Sequence, residues 1–398
     1  MKLPVVFILI SVMLDAMGIG LIVPVMPDLL QEVQGASLAS AALWGGVLST
    51  TFAAMQFLFG PLLGALSDRF GRRPVLLLSL VVMAADYLVM AVAGSIWLLF
   101  GARIVGGITA ATQSTANAYM ADISSPGQKA ANFGLIGAAF GMGFVFGPLI
   151  GGVLAEYGTR APFYAAAGLA AANAVFGYLV LKETVNDRIR RPFEWRRANP
   201  FGVFKYLARL PGLGPLLVVY FFYQVAFTVY PAIWSYYTLE RFAWSPGVRG
   251  LSLALFGIAM AVVQGGLIRP ILRRLGERGA VIYGHVADVV VFGLIGVVSS
   301  GTLLLILTPL AALPAVITPA LQSIMSKSVD DNQQGELQGA LTSVSALAMI
   351  ISPMVMTYVF YNFTGPTAPI YMPGAPFFLS AILIGFGLMV FLRARPRS

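Results

Sequence analysis

Long apolar runs separated by short polar stretches make up almost the whole chain. A helix that crosses a membrane needs about 20 consecutive apolar residues, and the runs are long enough for twelve such helices. Their predicted bounds are 5–27, 38–59, 75–93, 96–121, 130–154, 160–182, 210–238, 249–270, 280–300, 301–326, 336–361 and 372–392. The pattern therefore predicts an all-α membrane protein with twelve transmembrane helices.

The composition supports a membrane protein, because 58% of the 398 residues are hydrophobic and only 10% are charged. Soluble domains carry about a quarter charged residues. Lys2 is the only positive charge before the first apolar run, and no clear small-residue cleavage site follows it. That run is therefore predicted to be a span and not a removed signal peptide.

The chain has one histidine and no cysteine. The lack of cysteine excludes disulfides, thiolate metal sites and a cysteine nucleophile. A membrane-embedded enzyme would need a cluster of nucleophile, base or metal ligands, and the residues offer none. No enzymatic activity, metal or cofactor is predicted.

The formal net charge of +9 is distributed unevenly across the predicted membrane. The predicted spans place 21 of the 25 lysines and arginines on one side, which is the bias of cytoplasmic loops. This bias explains the positive charge without a nucleic-acid partner. It predicts a multi-pass protein of the inner, cytoplasmic membrane with both termini in the cytoplasm.

The longest stretch that is not apolar, 183–209, lies near the middle of the chain. It is predicted to be a cytoplasmic linker in the anionic headgroup layer, between an N-terminal half 1–182 and a C-terminal half 210–398. An acidic-partner docking site is the alternative. Short matches such as Gln113 with Gln322 relate the halves at offsets of 202 to 209 residues. Duplicated halves suit alternating-access transport, with the substrate site between them.

The densest group of charges in the first 120 residues lies between Gly60 and Pro74. A very short loop at the membrane surface is predicted there, holding Gly64, Asp68, Arg69, Gly71, Arg72 and Arg73. The glycines permit a sharp turn or a close approach of backbones, and the aspartate is suited to capping a helix or pairing with an arginine. The alternative is a basic loop that only fixes orientation.

Four ionisable residues fall inside predicted spans: Asp15, Asp86, Arg103 and Asp288. Each costs about 2.5–3.5 kcal/mol at a helix centre, so each is a functional candidate. Asp86 is predicted near the midplane, where a carboxylate exposed alternately to each side can load and release a proton. A permanent Asp86–Arg103 pair and polar ties through the other two acids are the alternatives. His285, predicted near the cytoplasmic start of its span, is not assigned a role.

Polar uncharged residues inside the spans are candidates for a substrate cavity. They are Gln56, Gln113, Asn117, Gln224 and Gln264, with Tyr223 from a group of aromatic residues in the seventh span. A few polar groups converging on one cavity are typical of a ligand site. Helix–helix ties and a lipid-facing aromatic belt are the alternatives.

The fifth span is rich in glycine. Its notable positions are Gly143, Gly147, Pro148, Gly151 and Gly152. Glycines four residues apart allow close helix approach, and the proline favours a bend. Ordinary small-residue packing explains the same pattern.

Three of these motifs resemble signatures of the major facilitator superfamily. The Gly60–Pro74 segment resembles its loop between spans 2 and 3, and Arg103–Gly107 resembles its span 4 motif, whose arginine is associated with proton coupling. Gly143–Gly152 resembles the span 5 motif of its antiporters. The resemblance implies two six-helix pseudo-symmetric halves. It also implies a cytoplasmic gating latch formed by Gly64, Asp68, Arg69, Gly71, Arg72, Arg73 and Asp122.

Over most of its length the chain resembles the bacterial tetracycline–proton antiporters, within the twelve-span drug:proton antiporters. The segments that carry this are 67–75, 85–87, 101–105, 119–123, 256–258, 287–288 and 334–339. The likeness implies that Asp15, Asp86, Arg103, Gln264 and Asp288 handle substrate or protons. Met260 stands where those transporters have a span 8 histidine, and a thioether takes up no proton.

The resemblance implies a proton-coupled antiporter that exports an amphiphilic drug-like compound, either tetracycline-type or multidrug. The implied partners are that small substrate, with or without a bound divalent cation, protons and membrane lipid. The alternatives are a proton-coupled symporter or facilitator of a metabolite, and a transporter-like receptor that does not transport.

Overall fold

The computed structural model describes residues 3–110, 112–125, 127–185, 193, 199–203, 212–330 and 333–394. These residues form helices and no strand. The α-helices are α1 Leu3–Ile22, α2 Met26–Gln34, α3 Leu38–Phe70, α4 Arg72–Val92, α5 Ile96–Thr109, α6 Thr112–Ile123, α7 Lys129–Ala155, α8 Ala161–Val180, α9 Gly214–Phe227, α10 Val229–Phe242, α11 Pro246–Val262, α12 Ile268–Val297, α13 Gly301–Leu307, α14 Ile317–Lys327, α15 Gln334–Thr364 and α16 Ala375–Arg393. Short 3-10 helices cover Pro200–Val203 and Thr308–Val316, and a π-helix covers Val263–Leu267.

Eleven helical segments in the described ranges are long and apolar enough to cross a membrane. One of them, Pro246–Val297, has 52 residues and would extend ~78 Å, more than twice a hydrocarbon core of about 30 Å. Its backbone leaves helical geometry at Gly276, with φ 67° and ψ 174°. Divided there, it supplies two crossings, and the predicted all-α, twelve-span architecture is confirmed.

The chain divides into two compact units. The first unit contains residues 1–35, 51–200 and 245–254, and the second contains 36–50, 201–244 and 255–398. The start of α3 therefore groups with the second unit, and the start of α11 groups with the first. Most of the predicted linker, 186–192, 194–198 and 204–209, lies outside the described residues.

The core of the first unit forms where α1, α4 and α6 meet. Its buried members are Val5, Phe7, Ile8, Val12, Leu76, Leu80, Ala116, Tyr119, Met120, Ile136, Ala174 and Leu181. In the second unit, Tyr223, Tyr230, Trp234, Tyr236 and Tyr237 of α9 and α10 are buried. Tyr230 lies 4.9 Å from the Phe256 ring and 5.5 Å from the Phe292 ring. These three rings pack together inside the second unit.

Glycines of α7 allow a close approach to α1. A methyl group on Gly147 would lie 2.6 Å from the Met17 carbonyl oxygen. Added methyls would also overlap α1 carbonyl oxygens at Gly143 (over Met13) and at Gly151 (over Leu21). The four-residue spacing of the glycines thus matches the four-residue spacing of the carbonyls.

The other two motif positions of α7 face the start of α11. A methyl on Gly152 would lie 2.5 Å from the Pro246 carbonyl oxygen. The carbonyl of Pro148 points at Gly250, where a methyl would overlap it. The span 5 motif therefore packs against two different helices of the first unit.

Candidate functional site

A buried ion pair joins α4 and α5 in the first unit. Arg103 Nη2 donates a hydrogen bond to Asp86 Oδ2, and the two side chains are only 12% and 6% exposed. Gly106 leaves room for the carboxylate, because a methyl there would lie 3.1 Å from Asp86 Oδ2. The pairing that sequence analysis gave as the alternative for Asp86 is present.

The pair is only partly satisfied. Arg103 also donates to Met90 Sδ at 2.9 Å, and its guanidinium carbon lies 5.2 Å from the Phe52 ring centroid. Asp86 Oδ1 and Arg103 Nε are buried without a hydrogen-bond partner in the part of the chain that the structure describes. No donor among the described residues reaches this carboxylate oxygen, so it can accept a proton.

Asp15 and the Asp86–Arg103 pair have a common neighbour, Tyr87. Asp15 is half-buried on α1, and Tyr87 packs against Gly18 of the same helix, where a methyl would overlap its ring. The Tyr87 hydroxyl lies within electrostatic range of Asp15, Arg103 and Asp86. Tertiary packing thus gathers three of the four predicted intramembrane charges around one phenol.

The fourth predicted charge, Asp288, lies on α12 in the second unit and is 2% exposed. Its Oδ2 has no hydrogen-bond partner among the residues the structure describes. It lies within electrostatic range of Tyr223, which hydrogen-bonds the side chain of Thr318, and of Tyr230. His285, one turn before Asp288 on the same helix, is fully buried.

The predicted charged loop is shorter than expected. Asp68 and Arg69 end α3, and Arg72 and Arg73 begin α4, so the prediction that these four residues form a loop is wrong. Only Gly71 separates the helices, with φ 118° and ψ 152°. Helical hydrogen bonding extends into the polar segment because the turn needs a single left-handed residue, which glycine supplies.

Arg72 makes most of the ion-pair contacts of the Gly60–Pro74 motif in the first unit. Its guanidinium pairs with Asp68 one turn earlier and lies 3.3 Å from Asp122 Oδ2 on α6. The other motif residues make fewer contacts. Arg69 lies 5.2 Å from the Phe70 ring centroid, and Gly64 has no atom within 4 Å of its added methyl position.

Sequence analysis missed the role of Glu183 in this motif. Its carboxylate accepts the backbone N–H groups of Arg72 at 2.9 Å and Arg73 at 3.2 Å. These are among the first N–H groups of α4, which have no partner inside the helix. Glu183 therefore caps α4, and the helix dipole favours a negative charge there.

The second unit holds a counterpart of the motif, which sequence analysis also missed. Gly276 interrupts the helix as Gly71 does, and Glu277 Oε1 lies 2.6 Å from Lys327 Nζ. An offset of 205 residues relates Gly71 to Gly276, Arg72 to Glu277 and Asp122 to Lys327. The acid and the base have changed places: the base Arg72 corresponds to the acid Glu277, and the acid Asp122 corresponds to the base Lys327. The halves match at offsets of 202 to 209 residues. Adding such an offset to the positions of the charged motif would have located this counterpart in the sequence.

The six predicted substrate residues are divided between the units. Gln56, Gln113 and Asn117 lie in the first, and Tyr223, Gln224 and Gln264 lie in the second. Gln113 Oε1 is buried without a partner among the described residues, whereas Gln224 donates to Ser345 Oγ at 3.2 Å. Gln264 is exposed within the π-helix, a geometry frequent at functional sites. Met260 packs on the buried side chains of Val263, Ala312 and Ala315.

Charges on the predicted outer side of the first unit also pair. Arg249, whose side chain is 0% exposed, lies 2.6 Å from Asp28 Oδ2. Arg160 lies 3.0 Å from Glu32 Oε1. The Glu156 carboxylate accepts hydrogen bonds from the Ser245 hydroxyl and the Gly247 N–H, which hold its pKa below its ordinary value.

Known proteins resemble this chain over most of its length. Residues 8–317 match the family model of the Major Facilitator Superfamily. The tetracycline resistance protein, class C, of Escherichia coli is 42% identical, over 89% of this chain and 89% of that protein. The class G protein of Vibrio anguillarum is 40% identical, over 90% of this chain and 91% of that protein.

A solved structure extends the comparison to the fold. The crystal structure of the human organic anion transporter MFSD10 superimposes with a TM-score of 0.69 at 29% identity, over 98% of this chain and 99% of that one. The helical fold, the family match and these relatives agree. The chain belongs to the major facilitator superfamily of membrane transporters.

Proposed function

We propose that this transporter exports an amphiphilic, drug-like compound, tetracycline-type or multidrug, in exchange for protons. The observation that carries the proposal is the buried Asp86–Arg103 pair with its unpartnered Asp86 Oδ1. Intramembrane acids are costly and mark ion or proton pathways in transporters. The tetracycline resistance proteins among its relatives support the drug-like substrate.

The proposed cycle alternates access between the halves 1–182 and 210–398. Substrate enters from the cytoplasm or the inner leaflet while Asp86 is ionised and paired with Arg103. The halves reorient, and a proton from outside neutralises Asp86, weakens the pair and helps to expel the substrate. Substrate and proton are coupled because each biases the same two-state equilibrium.

The remaining predicted residues receive roles in this proposal. Asp15 and Asp288 assist proton transfer, and the six polar residues in the spans contact the substrate, with or without a divalent cation. The motif around Arg72 acts as the cytoplasmic latch. The protein lies in the inner membrane with both termini in the cytoplasm, which matches the excess of basic residues on that side.

Reconstituted protein tests the coupling. Proteoliposomes with an imposed pH gradient are assayed for exchange of tetracycline and of ethidium, with and without collapse of the gradient. Gradient-driven exchange by the wild type and its loss in Asp86→Asn support the proposal. Asp330→Asn, a change at an exposed acid, is the matched control. Unchanged exchange in Asp86→Asn contradicts the role of Asp86, and wild-type exchange without proton dependence contradicts the antiport mechanism.

A second function has specific support from the likeness to the human organic anion transporter. In that reading an arginine such as Arg103 faces an anionic substrate, and Asp86 holds it until the substrate arrives. Susceptibility profiling of an efflux-deficient bacterium, with tetracyclines and with organic anions, separates the two. Resistance confined to anionic compounds favours this second function.

A further inference from the structure

The second unit contains two buried ionisable side chains one turn apart on α12. His285 is 0% exposed and Asp288 is 2% exposed. Residues three apart on a helix are neighbours on its surface. Both side chains lie against Tyr223 of α9, since its ring centroid is 6.4 Å from that of His285 and Asp288 is within its electrostatic range.

Each of the two side chains has one polar atom without a hydrogen-bond partner among the described residues. His285 Nδ1 lies 2.8 Å from the Val281 carbonyl oxygen, and because that oxygen only accepts, Nδ1 carries a hydrogen in either charge state of the ring. His285 Nε2 and Asp288 Oδ2 have no partner in the described part of the chain. A methyl on Gly387 of α16 would lie 3.6 Å from Nε2, so the residue that faces this nitrogen has no side chain to cover it.

We propose that His285 and Asp288 form one proton-binding site, in which a single proton binds the imidazole while the carboxylate beside it stays ionised. With one proton the pair has no net charge, because an imidazolium then lies beside a carboxylate. With none it carries a buried negative charge, and with two it carries a buried positive charge. Burial disfavours both charged forms, so the pair binds one proton as a unit.

Among the described residues, no charged side chain forms a salt bridge with the pair. The other titratable groups on α12 are Arg269, Arg273, Arg274, Glu277, Arg278 and Tyr283. Those on other elements near the pair include Tyr220 and Tyr223 on α9, Tyr230 on α10, Lys327 on α14 and Arg393 on α16. The tyrosines are neutral at physiological pH. Lys327 pairs with Glu277, which is about 12 Å along the helix from His285. Arg278 lies over the Phe391 ring at 5.5 Å, and that ring stacks on the His285 ring at 6.5 Å. No described arginine or lysine forms a salt bridge with Asp288.

The two units therefore treat their buried acids differently. Asp86 lies beside an arginine, which stays charged at all physiological pH values, whereas Asp288 has a histidine one turn away, and histidine titrates near neutrality. The inference deepens the proposed proton-coupled function and rests on it for its physiological meaning. The site itself can be measured without any transport.

The single histidine makes the experiment specific. Full-length protein carrying 15N-histidine, prepared without a histidine tag, gives the signals of one imidazole, and solid-state NMR in lipid records them from pH 5 to pH 9. The pH at which the ring changes protonation is expected to differ between wild type and Asp288→Asn by about one unit or more. Asp288→Glu is expected to keep the wild-type behaviour, and Glu277→Gln serves as the matched control on the same helix.

Two results overturn the proposal. One is an imidazole titration that is the same in wild type and in a folded Asp288→Asn protein, and the other is an imidazole that does not titrate in either. Thermal unfolding of each variant establishes that it is folded, and Asp288→Glu gives a second reading if Asp288→Asn does not fold. If the wild type shows no proton-driven exchange, the proposed function is contradicted but the proton-binding site is not. The NMR comparison alone tests whether the site exists.

Discussion

Arg249 Nη2 donates a hydrogen bond to Asp28 Oδ2 at 2.6 Å, across 221 residues of sequence. The arginine side chain is 0% exposed, whereas the aspartate side chain is 30% exposed. Beside it, Gly250 and Gly152 allow α11 and α7 to touch, since methyls there would overlap backbone atoms. The start of α11 is thus held to the first unit by one buried charge and by close backbone packing.

Asp28→Ala is expected to lower the free energy of unfolding by about 3 kcal/mol, because it leaves a buried guanidinium without its carboxylate. Asp28→Ala combined with Arg249→Met should recover part of the loss, since the charge is then removed as well. Thermal unfolding in detergent measures both. Glu32→Ala is the control, because the Arg160–Glu32 pair is 27% and 46% exposed and should contribute at most about 1 kcal/mol. Equal losses from both alanine changes would contradict this account.

Gly147→Ala is expected to destabilise the first unit by about 1–3 kcal/mol. The added methyl would lie 2.6 Å from a backbone oxygen of α1, and a backbone atom cannot move aside as a side chain can. Gly141→Ala on the same helix is the matched control, since no atom lies within 4 Å of its methyl position. Its unfolding temperature should equal or exceed that of the wild type. A Gly147→Ala protein as stable as the control would show that α1 and α7 are not in close contact.

Glu183→Ala is expected to destabilise α4 by about 1 kcal/mol, the typical effect of removing an N-terminal cap. Loss of the carboxylate leaves the N–H groups of Arg72 and Arg73 without that acceptor. Lys182→Ala, at the exposed neighbouring residue, should leave stability within about 0.5 kcal/mol of wild type. Hydrogen exchange of the first turn of α4 reports the cap directly. Unchanged exchange rates in Glu183→Ala would rule it out.

The two related ion pairs are expected to differ in strength. Arg72 is 14% exposed and contacts two acids, so Arg72→Ala should cost about 1.5–3 kcal/mol. Lys327 is 70% exposed, so Lys327→Ala should cost less than about 1 kcal/mol. Chemical unfolding of both variants and of the wild type makes the comparison. A larger loss of stability in Lys327→Ala than in Arg72→Ala would mean that solvent exposure does not determine how much these ion pairs stabilise the protein.

Glu156 makes stability depend on pH. Its pKa is lowered in the folded protein, chiefly by the Ser245 hydroxyl and the Gly247 N–H, from an ordinary value of 4.5. A lowered pKa contributes stability that is fully present above the unfolded value and is lost as pH falls through the folded value. The unfolding temperature should therefore fall on acidification below about pH 4.5, and less so in Glu156→Gln. An identical pH profile in the variant would contradict this contribution.

Local sequence pattern was sufficient for the helices and for the family. Twelve apolar runs predicted the spans, since the length of an apolar run is a property of adjacent residues. The same pattern misplaced Asp68, Arg69, Arg72 and Arg73 in a loop, because polarity marks the membrane surface but does not mark where helical hydrogen bonding stops.

The sequence by itself determined that the chain crosses a membrane many times, carries charges inside it and resembles a transporter family. Only the tertiary structure decided that Asp86 contacts Arg103, that Arg249 contacts Asp28 and that His285 is buried beside Asp288. Hydrophobicity acts residue by residue and is readable along the chain. Pairing depends on how each helix is rotated and packed against helices far away in sequence, and no local pattern fixes that rotation.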